Sequence, residues 1–148
     1  MKKAYSWGLV FLLAVSMALL PVQAVSNEQK SEVIHTEFGD LEVETTTVIR
    51  NTLSRSSSVS VNRTKTIKNS GKVIAEVTLS VTYGYDGKTA WVTSASGSHE
   101  TYEGWSYSGE KITKSGGTAT LSAKLTHSRY ENVPVNISLT CSPTGQIS

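Results

Sequence analysis

Three short stretches hold the residue types of nucleophilic catalysis. Gly104-Trp-Ser-Tyr-Ser108 comes one residue short of G-x-S-x-G, the elbow that raises a serine hydroxyl on a sharp strand-to-helix turn. Ser108 stands where that turn requires a second glycine, and no helical period follows, so Ser106 reads as an ordinary strand serine. Ser108-Gly-Glu-Lys111 has the spacing S-x-x-K, which is catalytic where it begins a helix; here it lies among glycines. Cys141 ends Ile137-Ser-Leu-Thr-Cys141. A thiol becomes a nucleophile when a nearby positive group holds it as thiolate. Cys141 instead continues the alternating apolar row Val133, Val135, Ile137, Leu139, where cysteine behaves as a small hydrophobe. No catalytic residue is assigned.

A cysteine closing a strand of a small β-protein invites comparison with sortases, whose signature is T-L-x-T-C with a histidine upstream and an arginine downstream. Only Thr140 and Cys141 match, and the chain closes as Ser-Pro-Thr-Gly-Gln-Ile-Ser without an arginine. An exported cysteine- or serine-dependent hydrolase or transpeptidase is therefore kept only as an alternative. His35, His99 and His127 lack the close spacing of zinc ligands. Asp40, Glu42 and Glu44 alternate along one strand face and read as a solvated acidic row, since calcium requires six or more oxygens, usually from a glycine-hinged loop. No metal and no cofactor is expected.

The aromatic residues Trp91, Tyr102, Trp105 and Tyr107 remain as candidate ligand-binding groups. Exposed coplanar rings on a β-sandwich are how carbohydrate-binding modules stack on sugars, and the chain is similar to them in architecture and in this cluster alone. The competing reading fills the core: Trp105 and Tyr107 lie at i and i+2, on one face of a strand. Beyond residue 24, Phe38 is the only phenylalanine, so the core must draw large side chains from elsewhere.

Period-two patterning dominates the elements that must position these residues. From Val73 to Tyr85 the apolar residues fall on odd positions, with Glu76, Thr78, Ser80 and Thr82 between them; Ile74 alone breaks the pattern. Such alternation means a strand with one face on a core. Asp86-Gly87 signals a hairpin, and a two-residue turn there pairs Tyr83 with Ala90 and Val81 with Val92. Trp91 then points away from the core. Leu121, Ala123 and Leu125 form a second row, and Val133 to Cys141 a third. Leu41, Val43 and Ile49, then Val59, Val61 and Ile67, mark two more strands, the latter joined to the long strand through Asn69-Ser-Gly71. Arg50 to Ser58 is polar and suits a bend, and residues 25–36 read as a flexible, unpacked N-terminal segment. The sum is all-β: a single-domain antiparallel β-sandwich of about seven or eight strands over residues 37–148, immunoglobulin-like in the broad sense. A small closed β-barrel is the alternative.

Residues 1–24 have the anatomy of a secretory signal peptide: Lys2 and Lys3, an apolar run from about Leu9 to Leu20, Pro21, and the small-residue pattern Val22-Gln-Ala24. The run is short beside the ~20 residues of a membrane span, so no span is expected after cleavage. Of the 14 Lys and Arg residues, Lys2 and Lys3 precede that point and all 12 Asp and Glu residues follow it, which leaves the remainder balanced. A nucleic-acid partner would call for a basic excess, so none is expected. One cysteine permits no disulfide within the chain. The expectation is a secreted, non-enzymatic domain that binds a partner or surface, with polysaccharide or another cell-surface component as the candidate ligand.

Overall fold

The computed structural model describes residues 24–51 and 57–148. The expected signal peptide and the middle of the Arg50–Ser58 bend lie outside the described residues. Eight strands follow one another without a helix among the described residues: β1 (Ala24–Thr36), β2 (Gly39–Asn51), β3 (Ser58–Asn69), β4 (Lys72–Tyr85), β5 (Ala90–Thr101), β6 (Ser106–Ser115), β7 (Thr118–Thr126) and β8 (Val133–Thr140). They form two antiparallel sheets, β1-β2-β3-β4-β5 and β6-β7-β8, packed as a β-sandwich rather than closed into a barrel. Each strand pairs only with its neighbour in sequence. The crossing connection of an immunoglobulin domain is absent among the described strands, and the likeness stops at the two-sheet architecture.

The alternating rows form the core as the patterning predicts. Leu41, Val43, Val59, Val61, Ile67, Val77, Leu79, Val81 and Tyr83 of the larger sheet are buried against Ala119, Leu121, Leu125, Val133, Val135, Ile137, Leu139 and Cys141 of the smaller. Ile74, which broke the alternation, is buried too. The pairing shifts there, from Ile67 opposite Ala75 to Lys68 opposite Val73. The extra residue is a β-bulge, which turns two successive side chains the same way.

Two expectations need correction. The β4–β5 loop has four residues rather than two: Tyr85 pairs with Ala90, Gly84 with Trp91 and Tyr83 with Val92. The Asp86 carboxylate shapes it by accepting the N–H groups of Lys88 and Thr89 at 2.9 and 2.7 Å. The register is thereby displaced by two residues as far as Val92, which leaves Ala90, Trp91 and Val92 on their expected faces. A bulge between Thr82 and Tyr83 then puts Ala95 opposite Val81, where Val92 was expected, and reverses the faces of the rest of β5. Residues 25–36, expected as an unpaired segment, are strand β1, hydrogen-bonded to β2 from Ala24 opposite Asn51 to Thr36 opposite Gly39. They carry no apolar row because almost nothing packs on them; Val25 and Val33 are 55% and 52% exposed. β7 and β8 lie over β3, β4 and β5, and the inner face of β1 stands beyond that cover.

Candidate functional site

The structure separates the four candidate aromatics. Tyr102-Glu-Gly-Trp105 is the turn that carries the chain from one sheet to the other. Glu103 and Gly104 have φ of 55° and 80°, and the Trp105 N–H donates to the Tyr102 carbonyl at 3.0 Å. This reversal drives Trp105 inward to 5% exposure. Its ring meets Phe38, His127 and Tyr130 at centroid distances of 5.9, 5.1 and 5.8 Å, so four aromatic residues from three loops close one end of the core. Trp105 therefore offers no face to a sugar. Tyr107 is half-buried, stacked on His99 at 3.9 Å, and donates its hydroxyl to Glu110 at 2.7 Å. Burial and that carboxylate together push its phenol well above the ordinary range. Tyr102 stays on the surface, hydrogen-bonded to Glu100.

Trp91 is placed differently. It lies on the outer face of the larger sheet, 45% exposed, directly across from Gly84. A Cβ at residue 84 would come within 2.5 Å of the indole, so the ring rests flat against bare backbone. Beside it the outer face is lined with hydroxyls aligned by the register. Ser60 meets Thr82 at 3.1 Å and Thr64 meets Thr78 at 2.8 Å. One row runs Gln29, Thr46, Thr64, Thr78, Ser98 across all five strands. The next holds Glu44, Thr66, Glu76 and Glu100, with the last two directly opposite each other. These hydroxyl rows were missed in the sequence. Alternating Thr and Ser residues were visible there, but only the register puts them side by side.

A second polar region lies between the sheets, a cleft of about 350 Å³ under β1 and beside β8. Arg63 sits at an inner position of β3. Its Nε donates to Thr47 Oγ1 at 2.9 Å and its Nη1 to the Ser138 carbonyl at 2.6 Å. The Nη1 bond joins the two sheets and the Nε bond ties Arg63 to β2 of its own sheet, while Lys65 pairs with Glu32 at 3.6 Å. The cleft reads as a polar seal where the smaller sheet ends.

Cys141 is buried, and the loss of solvation raises its thiol above the usual range, the reverse of what a nucleophile requires. Of the acidic row, Asp40 pairs with His35 and Glu44 with Lys68, both at 2.7 Å. No group of three or more metal-ligating side chains is placed to hold an ion among the described residues. Compared with known proteins, the chain matches no family model, no curated protein and no solved structure.

Proposed function

We propose that the chain is an exported, non-enzymatic binding module that recognises a polysaccharide or similarly hydroxylated cell-surface component on the outer face of its five-stranded sheet. One observation carries the reading: a half-exposed Trp91 ring lying flat on the sheet beside aligned rows of hydroxyls. An indole face suits the C–H face of a pyranose, and neighbouring hydroxyls and carboxylates suit its equatorial OH groups. Tyr102 and Glu100 sit near the far end of the same strand. The eleven residue steps from Trp91 along β5 to Tyr102, just past its end, span about 36 Å, several sugar units of an extended chain.

Retention on insoluble β-glucan, chitin and peptidoglycan tests this. The wild-type chain should be held by at least one of them. Trp91→Ala should weaken that retention about tenfold, ~1.4 kcal/mol, with unchanged thermal unfolding. Gly84→Ala should weaken it as well, because the new methyl lifts the indole off the sheet. Equal retention of the wild type and both variants would dismiss the site.

A further inference from the structure

Among the described residues, β1 leaves one edge of the larger sheet unpaired over thirteen residues. An open edge is a template for another strand, and the residues on this one are complementary to themselves. Within Val25-Ser-Asn-Glu-Gln-Lys-Ser-Glu-Val33, Val25 and Val33 stand equidistant from Gln29, and the opposite charges Glu28 and Lys30 flank it. Even-numbered residues 26–34 share the inner face with Leu41, Val43, Thr45, Thr47 and Ile49; odd-numbered residues face outward.

We infer that a second copy of this chain docks on β1, antiparallel, with a two-fold axis through Gln29. In that register Glu28 lies opposite Lys30 of the other copy and Lys30 opposite its Glu28, both on the inner face. On the outer face Val25 meets Val33, Asn27 meets Ser31 and the two Gln29 residues meet each other. Opposite-charge and β-branched cross-strand pairs both favour association. Neither Glu28 nor Lys30 has an ion pair or side-chain hydrogen bond with the described residues, so both are free for this use. A two-fold perpendicular to the sheet keeps inner residues opposite inner residues, so competing registers differ by steps of two in each residue's partner. One step places Lys30 against Lys30 and Glu28 against Glu32; the opposite step places Glu28 against Glu28. Each also moves Val25 onto a polar residue, His35 or Ser31. The inward charges exclude an apolar strand and select this register.

Pairing yields a continuous ten-stranded sheet. The row Ser98, Thr78, Thr64, Thr46, Gln29 then runs on through Gln29 of the second copy into the same row reversed. The dimer would double the length of the hydroxyl-lined face, but the inference stands on β1 alone, whatever that face binds.

The test uses the 148-residue chain in the processed form the cell yields, with native mass spectrometry reporting processing and dimer fraction together. An on-axis pair has its Cα atoms about 4.5–5.5 Å apart, within disulfide range. Gln29→Cys should therefore give a disulfide-linked dimer under mild oxidation, and buried Cys141 should give none. Asn27→Cys and Ser31→Cys, each about 13 Å from its own symmetry mate, should stay unlinked alone and crosslink when mixed. Glu28→Lys should weaken dimerisation about tenfold, since both symmetric pairs turn repulsive, and adding Lys30→Glu should restore it. A monomer at all concentrations up to about 1 mM, where even a Kd of that order leaves dimer visible, would overturn the inference. So would Asn27→Cys or Ser31→Cys crosslinking alone as fast as Gln29→Cys, which would mean another register or another occupant of the edge.

Discussion

Replacing Tyr83 with Phe removes a single oxygen from the centre of the sandwich, and its consequences reverse with pH. Tyr83 lies on the inner face of β4 with no exposure, and its hydroxyl donates to the Leu139 carbonyl of β8 at 2.6 Å, joining the two sheets. At neutral pH the variant loses one buried hydrogen bond, about 1–1.5 kcal/mol. Burial pushes the Tyr83 phenol up to about 12, with Cys141 adding to the shift and the Ala119 N–H and Arg63 opposing it. An unfolded tyrosine titrates near 10. Because the folded value is the higher, the contribution is complete below pH 10 and falls as pH rises from 10 to 12. Each unit is worth about 1.36 kcal/mol, so roughly 2.7 kcal/mol of wild-type stability is lost over that window. The variant has no such loss at this position, while Tyr107 and Cys141 titrate in both proteins and cancel. The two stability curves should cross near pH 11. Urea unfolding followed by tryptophan fluorescence between pH 7 and 12 measures this directly. Curves offset by a constant amount across the whole range would refute the argument, because the phenol would then titrate alike in both states.

Two further outcomes follow from the core. Trp105→Ala should cost ~3–5 kcal/mol, and with both Trp7 and Trp91 replaced by Phe the remaining Trp105 fluorescence should resist acrylamide; a cost below about 1 kcal/mol or free quenching would place the ring outside the core. Iodoacetamide at pH 8 should label Cys141 at least about a hundredfold more slowly in the native chain than in urea, the ratio expected if access needs an opening of only ~2.7 kcal/mol. Comparable rates would restore the cysteine to the list of possible nucleophiles.

The inner rows of β4, β7 and β8 were legible because each strand has one face on the core, and period-two patterning records that asymmetry directly. Even the misplaced β4–β5 turn left Trp91 on its true face, since an error of two residues preserves parity. β1 was illegible for the same reason. Its residues Glu28, Lys30 and Glu32 occupy inner positions, but the smaller sheet does not reach them, so burial never selected apolar side chains there. Ile74 looked like a flaw in the pattern until the bulge showed that two consecutive residues turn inward.

The candidate site divides along the same line. Residue types alone determined an all-β chain with a single cysteine and a small set of aromatics available for either core or ligand, because composition and alternation are local properties. Which aromatic went where was decided by tertiary structure. Trp105 is buried because a left-handed Glu103-Gly104 turn reverses the chain into a pocket built by Phe38, His127 and Tyr130. Trp91 is half-exposed because the register lays it across Gly84. Both outcomes depend on partners distant in the chain, and a side chain's surroundings exist only once those partners have been brought to it.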